Sequence, residues 1–231
     1  MPKFDVTKLN VAIDRQLETT TNPRHRFLLM AYSRHRYLEV AGRYEEIFAP
    51  DMMAMDPHYH FTQAGNNIEL SGQDHVKSLY KMWADTNQSI FFIESEEVAV
   101  ADHFICSVAT FYQQVSGKGL KQGKLLSHLP SPISHFIVEK ALAAKGFKPD
   151  DNDTYLYKMV GMQMVWPYDD RGRLLGEYQW EPEPSKSEIT KLTPEDVLTT
   201  EDSGKLLAPF IKPLPSYDEM VLGKKAAAGT A

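Results

Sequence analysis

The chain reads as an α+β protein in which helices cover one face of a curved antiparallel sheet, forming a cone with an apolar interior. Two observations predict this. Helical periodicity dominates the first 86 residues, and from Ser89 onward the apolar pattern changes to the alternation of paired strands. A third observation limits the size: 231 residues suit one core with embellishments better than two domains.

Residues 6–18 place Leu9, Ala12, Ile13 and Leu17 at helical spacing, a short amphipathic arm. Asn22 then offers an N-cap and Pro23 a first helical position for a stronger helix running to about Phe48. Its stripe of Phe27, Leu28, Ala31, Tyr32, His35 and Leu38 shifts after Gly42 to Tyr44, Ile47 and Phe48, which predicts a break near Gly42. Pro50 ends the helix, and "MMAMDPHYHF" reads as a strand interrupted at Pro57. "TQAGNNIELSG" reads as a loop, and residues 72–86 as a helix with Val76, Leu79, Tyr80 and Trp83 on one side. Two long strands joined near Ala101 and Asp102 follow.

Residues 116–153 interrupt the sheet, with a turn-like "SGKGLKQGK" and a helix predicted over 132–145, stopped by Gly146. Two further strands flank "DDRG" as a hairpin. After Pro182 the chain is rich in proline and charge, with a helix predicted near 194–207. Phe210, Ile211, Leu214, Tyr217, Met220 and Val221 fit a tail lying on the core or on a neighbouring subunit. The expected organisation is an arm at 1–21, an α+β barrel domain at 22–182 with the insertion at 116–153, and an extension at 183–231.

A formal charge of −6 without a basic cluster gives no electrostatic footprint for nucleic acid or an anionic membrane. No apolar run approaches the ~18 residues of a membrane span, and the first residues lack the apolar core of a secretory signal. A single cysteine, Cys106, excludes an intramolecular disulfide and fits a reducing, cytoplasmic setting; its expected place is a buried strand position.

The stretch "MDPHYHF" concentrates the chemistry. Alternation along a strand puts Met52, Ala54 and Asp56 on one face and Met53 and Met55 on the other; beyond Pro57 the phase is open, with His58 and His60 together and Tyr59 opposite. Two histidines at i and i+2 can share a metal, but a third ligand is needed, and Glu69 lies in a predicted loop. His103, His128 and His135 have no spacing that requires convergence, so no metal is assigned. Taken singly, each histidine reads most simply as a satisfied polar group. Asp56, inside an apolar run, would be costly to bury unless paired or raised in pKa, which is the condition of a base poised for use.

"AGRYEEIFAPDMMAMDP", followed by "LSGQDHVKSLYKMW" and, near the end, "YDDRGRLLGEYQWEPE", resembles the SnoaL-like branch of the nuclear transport factor 2-like superfamily, with its ketosteroid isomerases, scytalone dehydratases and polyketide cyclases. The resemblance covers residues 25–115 and 154–182. It implies Asp56 as general base, faced by Tyr32 with His35 one turn on, and needs no cofactor. It also implies a dimer or trimer. The acid of some isomerases is absent from "YLYKMVGMQMVW", which departs from the ketosteroid pattern. The insertion, the methionine-rich interior and the tail resemble, further, a subgroup acting on lignin-derived diaryl compounds. That implies a lyase releasing formaldehyde from a diarylpropane diol to leave a stilbene.

Asp56, His58 and His60 would divide acid and base work in such a lyase, with Tyr32 or Tyr59 orienting a phenolic ring. Met53, Met55, Trp83, Phe111, Met162, Met164 and Trp166 would offer apolar surface to a small aromatic substrate, although plain core packing explains each one singly. The alternatives are an isomerase, dehydratase or cyclase on a polyketide- or steroid-like substrate, and a non-catalytic ligand-binding member of the fold.

Overall fold

The structure, a computed structural model, describes residues 4–63, 66–122, 146 and 148–224. Helices α1 (Val11–Thr19) and α2 (Pro23–Val40) lead the chain. The Asn22 side chain accepts from the backbone N–H groups of Arg24 and His25, and Pro23 occupies the first turn, so α2 starts where the capping residues require. Eleven of its 18 residues are buried, Arg36 and Glu39 among them, so charged side chains of this helix enter the interior. Gly42 takes a positive φ of 69° and ends the helix before the short 3-10 turn Tyr44–Phe48, the break expected there.

Seven strands form one curved, unclosed sheet among the described residues: β1 (Met53–Gln63), β2 (Asn66–Ser71), β3 (Phe91–Val100), β4 (Phe104–Ser116), β5 (Thr154–Pro167), β6 (Leu174–Trp180) and β7 (Glu188–Lys191). The order is β2-β1-β6-β5-β4-β3, with β7 on β5. Helix α3 (Gln73–Asp85) packs with α2 and the Tyr44–Phe48 turn over one face. Register shifts occur at Met53/His58, Ile93/Ser95 and Ala109/Phe111, the last opposite Gly161 with φ 70°. Such bulges bend strands and increase twist, which turns the sheet into an open cone around the helices.

Four local expectations are corrected. The sheet is not wholly antiparallel, because β1 and β6 pair in parallel. The predicted loop at 62–72 contains β2: Ile68 and Leu70 oppose Phe61 and Tyr59, and this pairing outweighs the low strand preference of the asparagines. "SGKGLKQGK" opens with a helix, Gly117–Gln122, rather than a turn, with Ser116 Oγ accepting from Gly119 N–H at its start. In the tail, Glu188–Lys191 adds a strand, and the helix is confined to Thr200–Leu207. The helix predicted over 132–145 lies outside the described residues.

The N-terminal arm and the C-terminal extension are both tied to the core. Asn10 donates to Ser33 of α2, and Gln16 donates to the Val98 carbonyl of β3. Thr200 Oγ1 donates to the Ala84 carbonyl at the end of α3, and the Tyr217 ring meets Phe27 edge-on at 5.0 Å. Among the described residues no helix is long and apolar enough to cross a membrane.

Candidate functional site

The inner face of the sheet and α2 enclose a small cavity lined by Tyr32, Arg36, Glu39, Phe91, Phe111, Met164, Trp166, Glu177 and Gln179. Alternation delivers these side chains. On β5, Met162, Met164 and Trp166 point inward while Gln163 and Val165 point out; on β6, Glu177 points inward while Tyr178 and Trp180 are exposed. Residues 32, 36 and 39 share one face of α2 by the i, i+4, i+7 rule.

A buried ion pair anchors the cavity. Arg36 Nη1 donates to Glu96 Oε2 at 2.9 Å, with both side chains almost wholly buried. Burial opposes the guanidinium charge, but Glu96 and Tyr32 outweigh it and raise its pKa. The Arg36 guanidinium lies 5.1 Å from the Tyr32 ring centre, and the Tyr32 hydroxyl is 3.4 Å from both Glu96 Oε1 and Ser107 Oγ. Burial, then the charge of Glu96, pushes the Tyr32 phenol well above its ordinary value. Tyr32 therefore stays protonated at neutral pH.

Two further carboxyls sit in the same space. Burial pushes Glu177 up to about 8, against the opposing pull of a hydrogen bond from Gln179, the charge of Arg36 and a hydrogen bond with Tyr80. Burial and the repulsion of Glu177 hold Glu39 well above the usual carboxylate range. Like-charged groups in one buried cavity resist ionising together, so burial and mutual repulsion both favour the protonated form of this pair.

His35 Nε2 is 2.8 Å from the Tyr80 hydroxyl, which is 3.4 Å from the Tyr59 hydroxyl. Burial and the Arg36 charge lower His35 to about 3, so it is a neutral imidazole. Burial raises the phenols of Tyr59, Tyr80 and Tyr168 as well. A polar chain of neutral donors and acceptors thus leads from α2 through α3 to β1 and β6.

The structure divides the sequence-derived candidates. Tyr32, Phe111, Met164 and Trp166 line the cavity, and His35 and Tyr59 belong to the polar chain beside it. Met53, Trp83 and Met162 are buried but do not line the cavity; Trp83 packs between Phe61 and Tyr80.

Asp56 is a correction: it is exposed, not held in an apolar hollow. Met55, at 79% exposure, also points to solvent and offers no substrate wall. The physical reason is that Pro57, Tyr59, Phe61 and Gln63 face inward, which puts Asp56 outward with His58 and His60, while the register shift between Met53 and His58 takes Met55 out of phase with buried Met53. His58 and His60 lie on the outer face, where they contact Ser71 Oγ at 3.0 Å and Asn67 Oδ1 at 2.5 Å respectively. Among the described residues no three metal-ligating side chains converge. Cys106 is half-buried on that outer side, rather than buried.

Sequence reasoning missed Arg36, Glu39, Glu96, Glu177 and Gln179. For two of them a signal existed: Arg36 and Glu39 stand four residues beyond Tyr32 and His35, on the stripe already identified.

Surface hollows of about 270 Å³ also occur. One lies between α1, α2 and the tail around Pro209–Leu214, another between α1 and β3. Neither is lined by Glu39 or Glu177, although Glu96 of the buried ion pair borders the second.

No family model matches this chain, and no curated protein matches it. Among solved structures it is similar to the S. rosetta CaMKII hub, at 11% identity, covering 68% of this chain and 95% of that one with a TM-score of 0.38. It is also similar to an NTF2-like protein from Anabaena variabilis, at 8% identity, covering 70% of this chain and 92% of that one with a TM-score of 0.42.

Proposed function

We propose that the chain is a cofactor-independent acid/base enzyme acting on a small aromatic substrate inside the cone, with Glu177 and Glu39 as the proton-handling pair. The observation that carries this reading is two buried carboxyls of raised pKa facing aromatic walls in one cavity. Perturbed, coupled carboxyls in a dry cleft are what acid/base catalysis at neutral pH requires. The base role expected of Asp56 passes in this proposal to Glu177.

The reaction that suits such a pair best is fragmentation of a diarylpropane 1,3-diol. One carboxylate accepts the proton of the terminal hydroxyl, and the oxygen electrons form the carbonyl of formaldehyde. The carbon–carbon bond breaks and its electrons form the stilbene double bond. The benzylic carbon–oxygen bond breaks, and the hydroxyl leaves as water with a proton from the other carboxyl. One proton is taken and one given, so a pair sharing a single proton ends the cycle as it began. Phe91 stacked on Phe111 at 4.9 Å, with Trp166 and Met164, supplies the ring-binding walls. The free space is only about 20 Å³, so these walls must separate to admit a ring.

The test is an assay of the purified protein with a 1,2-diaryl-1,3-propanediol, reading stilbene absorbance and formaldehyde together. Equal yields of both are expected, with Glu177→Gln slowed by about 100-fold or more. Absence of both products, or an unimpaired Glu177→Gln variant, removes the proposal.

A further inference from the structure

Two buried donors in the cavity have no acceptor among the described residues. Arg36 is 2% exposed and Trp166 is 3% exposed, and both Arg36 Nη2 and Trp166 Nε1 lack a hydrogen-bond partner. Both side chains pack on the same ring: the Arg36 guanidinium is 5.1 Å and the Trp166 ring 4.9 Å from the centre of Tyr32. Both also line the same free space. Leaving such groups unmet costs free energy, and a cavity that gathers two of them is built to receive an acceptor.

The charge of that acceptor follows from its surroundings. Arg36 is already neutralised by Glu96, and the other ionisable carboxyls lining the space, Glu39 and Glu177, contribute either nothing or negative charge. The net charge is zero or below whatever their protonation, and an anion brought into this buried cavity would lack compensation. The size of the free space, about 20 Å³, matches a single oxygen-sized guest, since a water needs roughly 10–15 Å³ by the same measure. Apart from the Gln179 amide, the remaining lining is ring and thioether, which suits an aromatic body behind that oxygen.

We propose that Arg36 Nη2 and Trp166 Nε1 together form the recognition point for one neutral acceptor oxygen, a carbonyl, un-ionised phenol or ether, carried by an uncharged aromatic ligand, and that aromatic anions are excluded. This rests on the cone interior being the ligand site and deepens that reading by naming the charge and the anchoring atom of the ligand.

The test uses three molecules of similar size: acetophenone, which has a neutral acceptor; ethylbenzene, which has none; and benzoate, which is anionic. Calorimetric titration at pH 7 should show acetophenone binding about tenfold more tightly than ethylbenzene, with benzoate weaker than both. The infrared carbonyl stretch of bound, isotopically labelled acetophenone should fall below its position in an aprotic solvent. Trp166→Phe keeps an aromatic ring and removes the donor, so it should return part of that shift and weaken acetophenone by about threefold to tenfold relative to ethylbenzene.

Benzoate binding as tightly as acetophenone, no binding of acetophenone, or a carbonyl stretch unaltered by Trp166→Phe would each overturn the proposal. Should Trp166→Phe fail to fold, the three affinities and the stretch in the unmodified protein decide the matter alone. Glu177→Gln separates the two readings: loss of turnover with acetophenone binding retained supports both. Binding of acetophenone without any turnover of the diaryl diol by the unmodified protein overturns the enzymatic reading and leaves the recognition point standing.

Discussion

Glu177→Gln should change how stability depends on pH, and the size of the change can be worked out. The Glu177 carboxyl is raised from 4.5 to about 8 by burial, the first cause, with Gln179, Arg36 and Tyr80 pulling the other way. A folded-state pKa above the unfolded value means that the folded chain holds the extra proton. The stabilisation is complete below pH 4.5 and is lost as pH rises through about 8. At about 1.4 kcal/mol per pH unit the full effect is about 5 kcal/mol, of which about 3 kcal/mol falls between pH 5 and pH 8.

Glutamine is nearly isosteric and does not titrate, so the variant lacks this slope. His35 works in the opposite sense, its stability contribution being present above 6.5 and lost as pH falls toward about 3, but it does so in both proteins and cancels in the difference. Urea unfolding at several pH values from 5 to 8 supplies the measurement. The variant should gain on the parent steadily as pH rises, even if it starts lower through a lost hydrogen bond. Curves that remain parallel across that range would show that Glu177 is ionised or hydrated in the folded chain, and the argument for a proton-holding cavity would fail with it.

Three other outcomes follow from the geometry. Asp56→Asn, altering an exposed side chain, should leave turnover within about twofold and unfolding within about 0.5 kcal/mol; a large loss of turnover in steady-state assays would restore Asp56 to the chemistry. Gly176→Ala should destabilise by about 3 kcal/mol or more in chemical unfolding, because a Cβ there would lie 1.7 Å from the His58 carbonyl oxygen; unchanged stability would mean that β1 and β6 are not so close. The outer face of the sheet exposes Val108, Val165, Tyr178 and Trp180, and self-association, if it uses this face, should be abolished by Trp180→Glu; sedimentation showing the same mass for parent and variant would exclude that face.

The sequence made the skeleton legible wherever one period dominated. The capped start of α2, the break at Gly42, helix α3, the β3–β4 pair and the β5–β6 hairpin were all readable. The site was harder, because its residues run against ordinary expectation. On β6 the alternation of Leu174, Gly176, Tyr178 and Trp180 with Leu175, Glu177 and Gln179 argues for aromatic rings inside and polar groups outside; the fold keeps that phase at Leu174–Gly176 and inverts it from Glu177, leaving Tyr178 and Trp180 exposed. On α2, Arg36 and Glu39 read as solvent-facing charges, yet the helix is buried on nearly every side. Asp56 misled for a complementary reason: its apolar neighbours suggested burial, while the inward phase of Pro57, Tyr59 and Phe61, set by strand pairing beyond the local sequence, puts it outward. Disagreement between local preference and tertiary placement is what marks these positions as candidates for function.

The parallel pairing of β1 with β6 bears on how the chain is made. Residues 53–63 must wait for residues 174–180 before they acquire a partner on that edge, so the middle of the sheet stays open until most of the protein has left the ribosome. The strand that closes the gap is also the one carrying Glu177. Assembly of the proton-holding centre is therefore a late event, and truncation of the chain before Trp180 would leave a product without a completed hollow.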